Sequence, residues 1–328
     1  VEKTMKKKAI IPFIFIFFWI LFLGNEQSFS EQYLTPEEAA CQHLEKGEID
    51  YAIQSLEKLL QASPQNLNAH LYLGIALFLK KDMESASKEF QKIEKEIDRM
   101  VGASDTFGDR QAFIQMGMER KADVLFFEEK KGLFYFFYGL VLKEKNDLKA
   151  AQKKFKEARR FRYDNSAISF ELIDLFLKKK DLPSAWLELV EYKKYSGETP
   201  ISIFFDGCIS YEKNKIEDSL AALEKASSSF PEAKKNIGTI HYNSGDYTKA
   251  REIWEEILTQ NPDDKDLVLN LGWAWFLAGD SAKAQEYFDW AGIKVTLDRY
   301  TPKKISITYD SLLKERKFNL QCQLKKGK

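Results

Sequence analysis

Cysteine and histidine are scarce in this 328-residue chain, and each scarcity closes off a class of chemistry. The three cysteines, Cys41, Cys208 and Cys322, lie far apart and are odd in number. That excludes a dense disulfide framework and a CxxC zinc or redox site. The three histidines, His43, His70 and His241, fall on apolar helical positions, and none lies in an HExxH or paired-ligand spacing, so no metal is expected. The sequence also lacks a G-x-x-x-x-G-K phosphate loop. Lys and Arg total 50 against 50 Asp and Glu, so there is no overall basic excess to draw nucleic acid. One fragment, Ser85-Ala86-Ser87-Lys88, matches the S-x-x-K nucleophile pattern, but the companion motifs of that chemistry are missing. No catalytic constellation remains, so neither an enzyme nor a cofactor is expected.

The charge that is present is unevenly placed. Residues 293–328 hold ten Lys/Arg and three Asp/Glu, a local charge of +7, whereas residues 31–292 carry −9. The basic run Lys149–Arg162 has seven cations and one glutamate, and reads as a solvated helix face. The N-terminus has a different character. Met5-Lys6-Lys7-Lys8 precedes an uncharged run, Ala9–Leu23, and the small-residue site Ser28-Phe29-Ser30. This is the layout of a signal peptide over residues 1–30, cleaved after Ser30. Fifteen residues span only ~22 Å as a helix, short of the ~30 Å hydrocarbon layer. An uncleaved membrane-associated anchor is the alternative. Either way the body is expected outside the cytoplasm, in a bacterial periplasm or cell envelope.

The body repeats with a period of 34. Leu73, Gly74 and Leu77 on one helix face Ala86, Phe90 and Ile93 on the next. The pattern returns as Tyr138, Gly139, Leu142 with Ala151, Phe155, Ala158, and as Leu172, Ile173, Phe176 with Ala185, Leu189, Tyr192. It continues as Ile237, Gly238, His241 with Ala250, Trp254, Ile257, and as Leu271, Gly272, Trp275 with Ala284, Phe288, Ala291. The first copy, near residue 33, and the fourth, near 166, are looser, and the copy over 200–230 is three residues short. Apolar spacing of i, i+3, i+4 and i+7 makes one stripe per helix. Gly or Ala at the crossing permits close approach, while Asp82, Asp147, Asp181, Asp246 and Asp280 stand where a side chain can cap the second helix.

These residues resemble the tetratricopeptide repeat family, in seven copies starting near 33, 67, 132, 166, 200, 231 and 265. The resemblance implies an all-α fold: a right-handed superhelical solenoid of antiparallel helix pairs, with a concave face lined by each first helix. The expected organisation is repeats one and two in 31–100, an insertion or degenerate repeat in 101–131, repeats three to seven in 132–298, and a capping helix with basic tail in 299–328. Val101–Arg110 reads as a loop, Gln111–Lys130 as a helix, and about 302–318 as the cap, with Ile305–Tyr309 a possible strand instead.

The resemblance also directs attention to a second stripe on the first helices, which in this family faces the groove. It contains Leu71, Ile75, Phe78, Phe136, Leu140, Phe170, Phe204, Cys208, Tyr211, Tyr242, Trp273 and Phe276. Left open, so much apolar surface would exceed the largest patch of an ordinary monomer. The stripe is therefore expected to hold a protein or peptide partner, with Lys143, Asp174 and Lys235 adding specificity. The alternative is a structural subunit of an envelope assembly, its groove filled by the chain's own segments.

Overall fold

The computed structural model describes residues 35–107, 130–294, 304–307, 318 and 320. The expected signal segment, nearly all of the expected helix 111–130 and most of the tail lie outside these residues. Fourteen α-helices and no strand occur among the described residues, arranged as seven antiparallel hairpins stacked in chain order. They are α1 (Pro36–Glu45) with α2 (Ile49–Ala62), α3 (Leu67–Leu79) with α4 (Met83–Phe107), and α5 (Lys131–Glu144) with α6 (Leu148–Arg160). Then come α7 (Asn165–Lys178) with α8 (Leu182–Ser196), α9 (Pro200–Glu212) with α10 (Ile216–Ala226), α11 (Pro231–Asn243) with α12 (Tyr247–Gln260), and α13 (Lys265–Leu277) with α14 (Ser281–Ala291).

One turn chemistry builds each hairpin. Residues 47, 81, 146, 180, 214, 245 and 279 all take positive φ between paired helices. Glycine fills three of these seats, while Lys81, Asn146, Lys180 and Asn214 adopt the left-handed conformation despite their Cβ. The next residue caps the second helix: Asp82, Asp147, Asp181, Asp246 and Asp280 each accept a hydrogen bond from a backbone N–H three residues on.

Within a hairpin, side-chain volumes are matched across the crossing. A Cβ on Gly74 would come 2.5 Å from Phe90, and one on Gly238 would come 2.3 Å from the Trp254 indole nitrogen. Where the first helix instead carries Ala40 or Ile173, the facing residue shrinks to Leu56 or Leu189. The resulting core is continuous from α1 into α11, and a second cluster spans α11 to α14, with Ile253 packed against both.

Two segments depart from expectation. Helix α4 continues through Phe107, where residues 101–110 read as a loop. An uninterrupted ladder outweighs the helix cost of Gly102, about 1 kcal/mol. Residues 304–307, placed in the expected capping helix, have no regular structure. The alternation Ile305-Ser306-Ile307 points alternate side chains to opposite sides, as an extended chain laid on an apolar surface does.

Candidate partner-binding groove

The twelve residues of the second stripe do not form an open wall. Leu71, Ile75, Phe78, Phe136, Leu140, Phe170, Phe204, Cys208, Tyr242 and Trp273 are buried, and Tyr211 and Phe276 are half-buried. The expectation of exposed groove positions is thereby corrected. First helices of successive hairpins lie side by side, so a stripe flanking the core stripe is pressed into the seam between repeats. Phe136 stacks on Tyr163 with ring centres 4.5 Å apart. Phe204 meets Phe230, whereas Tyr242 meets Trp254, and Trp273 meets Phe288 at 4.7 Å, inside their own hairpins. Tyr163 and Phe230 come from the turns that end the third and fifth hairpins. They sit outside the helical periodicity from which the stripe was read.

The three charges expected to confer specificity are likewise turned inward. Lys143 Nζ donates to Glu171 Oε2 at 2.5 Å and to Asp174 Oδ2 at 2.7 Å, with all three side chains almost wholly buried. Lys178 approaches the same Asp174 oxygen at 3.3 Å. Lys235 is paired with Asp264 at 2.9 Å across the sixth and seventh hairpins. These ion pairs cross between neighbouring repeats and fix their register.

The chain's own C-terminal segment provides part of the cover. The Asn243 carboxamide grips the backbone of Ile305 twice: Ile305 N–H donates to Oδ1 at 3.0 Å, and Nδ2 donates to the Ile305 carbonyl at 2.8 Å. The same Nδ2 donates to the Tyr211 hydroxyl at 2.7 Å. Ile307 is buried in the main core. Phe318 lies among Phe78, Phe136 and Phe137, with ring centres 5.2–6.3 Å away. Leu320 is buried, and its carbonyl lies 3.8 Å from Cys41 Sγ on α1. Ile305 thus touches the sixth hairpin, Phe318 the second and third, and Leu320 the first. The sequence carries its signals in the basic charge of 293–328 opposite an acidic body, and in apolar residues spaced two apart.

Each of the remaining chemical candidates has a defined place in the fold. His70 sits between the Glu89 carboxylate at 2.6 Å and the Pro64 carbonyl at 2.9 Å, beside a cleft of about 710 Å³ between α2, α3 and α4. Burial works to raise the Glu89 pKa, but hydrogen bonds from His70 and Lys92 outweigh it and hold the carboxyl below its usual value. His43 pairs with Glu48, and His241 lies 3.6 Å from Asp246, its pKa lowered chiefly by burial. Ser85 is a first-turn residue whose backbone N–H bonds Asp82. Cys208 is a free thiol, and burial pushes its pKa well above the usual range. Cys41, by contrast, is disulfide-bonded. Among the described residues no group of three or more His, Cys, Asp or Glu could hold a metal, and no helix is long and apolar enough to cross a membrane.

This is an all-α solenoid of helix hairpins, and comparison with known proteins places its repeats. Two family profiles described as tetratricopeptide repeat match residues 43–98 and 235–291, so the chain carries tetratricopeptide repeats. The curated proteins contain no match to the sequence. Among solved structures, a tetratricopeptide repeat protein from Parabacteroides merdae superposes with a TM-score of 0.57 at 11% identity, over 85% of this chain and 95% of that one. The APC/C hetero-tetramer Cut9–Hcn1 gives a TM-score of 0.55 at 12% identity, over 85% of this chain and 48% of that one. At such identities the likeness is one of fold, and this chain spans about half the length of the Cut9–Hcn1 chain.

Proposed function

We propose that this chain is an exported, non-catalytic interaction scaffold whose groove takes an extended protein segment, and that its own tail is the resident occupant. The observation that carries this reading is the double hydrogen bond from Asn243 to the backbone of Ile305, with Phe318 set among three phenylalanine rings. Backbone recognition by a carboxamide holds a segment whatever its side chains, and alternate apolar residues then fill the pockets. The ligand class follows: an extended segment with apolar residues two apart and a basic rather than acidic flank. Export rests on the basic, apolar and small-residue order of residues 5–30.

A tethered tail acts at an effective concentration on the order of millimolar. An external segment must therefore bind much more tightly, or arrive when the tail has left. The test places a photo-crosslinking residue at position 78. In the wild-type chain it should capture the chain's own tail. In Phe318→Ala it should instead capture a synthetic peptide of residues 304–320, and an envelope protein should compete for that position. Failure of the peptide to bind Phe318→Ala, with the fold intact by circular dichroism, overturns the reading. A permanently filled groove, favoured by the complete burial of Leu71, Ile75 and Phe204, would then make the chain a structural subunit of an envelope assembly.

A further inference from the structure

The outer side of the stack carries a surface that the groove does not use. On α6, Lys149, Lys153, Lys156 and Arg160 are exposed and recur at i, i+4, i+7 and i+11, which is one stripe of a helix. The period of 34 carries that stripe onto α8, where Leu187 and Val190 take the places of Lys153 and Lys156. Trp186 stands beside them, and all three are exposed. The Arg159–Glu188 ion pair at 2.6 Å and the hydrogen bond from Lys179 to Gln152 at 3.1 Å join the two hairpins, so a basic stripe and an apolar stripe lie side by side. The geometry points to this face as a docking surface for an anionic lipid bilayer.

Charge separates this face from the rest of the outer side. One repeat further on, in α10, the same two positions hold Ala221 and Glu224, and in α12 they hold Glu252 and Glu255. Residues 31–292 carry −9, so a line of four cations is a local exception in an acidic body. The carboxylates of α6 and α8 do not cancel it. Glu157 lies 3.7 Å from Arg160, Glu188 is held by Arg159, and Glu191 lies 3.6 Å from Lys194. Among the described residues no carboxylate stands within ion-pair distance of Lys149, Lys153 or Lys156.

A bilayer fits the two stripes better than a protein does. Trp186, Leu187 and Val190 together are a small fraction of the ~800 Å² that each partner contributes to a standard protein interface. A lipid surface needs less apolar area, because its anionic headgroups attract every nearby cation at once. The lysine stems can lie along the surface while their ammonium groups reach phosphates. Trp186 has the ring type that settles at headgroup level, and Lys213 Nζ lies 5.7 Å from its ring centre, adding a cation at the rim. The described tail residues sit on first helices, so neither this face nor its occupant depends on what fills the groove. A scaffold held to a membrane by α6 and α8 would present its groove away from the lipid.

The test is flotation of the full chain with lipid vesicles, with circular dichroism as the control for folding. The chain should float with vesicles of equimolar phosphatidylcholine and phosphatidylglycerol, float less with phosphatidylcholine alone, and be released as salt is raised. The triple variant Lys149→Gln, Lys153→Gln, Lys156→Gln should bind the anionic vesicles on the order of a hundredfold more weakly. Lys58→Gln, Lys225→Gln, Lys265→Gln removes the same charge from exposed lysines elsewhere and should leave binding unchanged. Equal loss in the two triple variants overturns the proposal, because net charge alone would then drive binding. Undiminished binding by the first triple variant overturns it too, because the contact would then lie in another basic segment. Vesicles with brominated acyl chains should quench the tryptophan emission of the wild-type chain and quench that of Trp186→Phe much less. Equal quenching overturns the role of α8. Retention of the chain on soluble poly-glutamate but not on anionic vesicles replaces the bilayer with an acidic protein, and binding to neither overturns the surface altogether.

Discussion

The inner stripe and the outer face of α8 have exchanged the roles that composition would assign them. Along the first helices, residues that look surplus to the core are sealed between repeats and beneath the tail. On α8, a second helix, Trp186, Leu187, Val190 and Tyr195 are 47%, 61%, 47% and 48% exposed. Its neighbour α6 shows the usual arrangement, with Ala151, Phe155 and Ala158 inward and lysines outward. Even there the basic run Lys149–Arg162 is partly structural: Lys154 is nearly buried against Glu94 and lies 5.0 Å from the Tyr138 ring, and Arg159 joins Glu188 of α8 at 2.6 Å. Hydropathy of a stripe therefore does not report its exposure in a solenoid. What counts is whether the next repeat or the tail stands over it.

The sharpest way to break this contrast is by truncation on each side. Phe204→Ala and Phe136→Ala should each cost about 3–5 kcal/mol, as much as the core changes Phe90→Ala and Phe288→Ala. Trp186→Ala and Leu187→Ala should stay within about 0.5 kcal/mol. Denaturant midpoints with unchanged slope measure both. If Phe204→Ala melts with the wild type, the inner stripe is open and the contrast fails.

The buried charges offer a second test of comparable size. Lys143→Ala leaves Glu171 and Asp174 without the ammonium that bridges them and should cost about 3–5 kcal/mol. Removing the exposed pair Lys80–Asp50 should shift stability by at most about 1 kcal/mol. A double-mutant cycle on each pair separates the two.

A smaller effect is expected at the helix crossing. Gly238→Ala drives a methyl group into the Trp254 indole, whose N–H donates to the Lys235 carbonyl, and should cost about 1–3 kcal/mol. Thermal melts decide it, and a neutral result would show that the sixth hairpin can open without loss.

The hairpin turns should respond in the opposite direction. Lys180 has a φ of 57° where Gly245 and Gly279 do the same work without a Cβ. Lys180→Gly should be stabilising by about 0.5–1 kcal/mol net of the freedom glycine adds to the unfolded chain. Equality with wild type would mean that the Lys180–Glu212 contact offsets the backbone strain.

The mildest expectation concerns acid. The Glu89 carboxyl is held below its ordinary value, so its contribution is fully present above the unfolded-state pKa and is lost as pH falls through the folded one. Glu89→Gln should flatten that part of the stability curve and leave the neutral-to-basic part parallel to wild type. An unchanged acid limb would mean that His70 and Lys92 do not hold the carboxylate in solution.

The sequence by itself determined the repeat. Period, crossing glycines, capping aspartates and turn positions are all local, set within one hairpin by helix geometry and by the need to satisfy backbone groups at helix ends. The size match of Gly74 to Phe90, and of Gly238 to Trp254, is written within those hairpins and needs no knowledge of the rest. The exposure of the inner stripe was decided only by tertiary structure, because burial there depends on Tyr163 and Phe230 in the turns and on Phe318 and Leu320 far along the chain. The inward pairing of Lys143 with Glu171 and Asp174 was equally hidden, since a charge on a helix reads as solvated until the neighbouring helix is in place. The disulfide of Cys41 escaped for the same reason. Three well-separated cysteines show no pairing in sequence, and only the tertiary structure brings the Leu320 carbonyl beside Cys41 of the first hairpin.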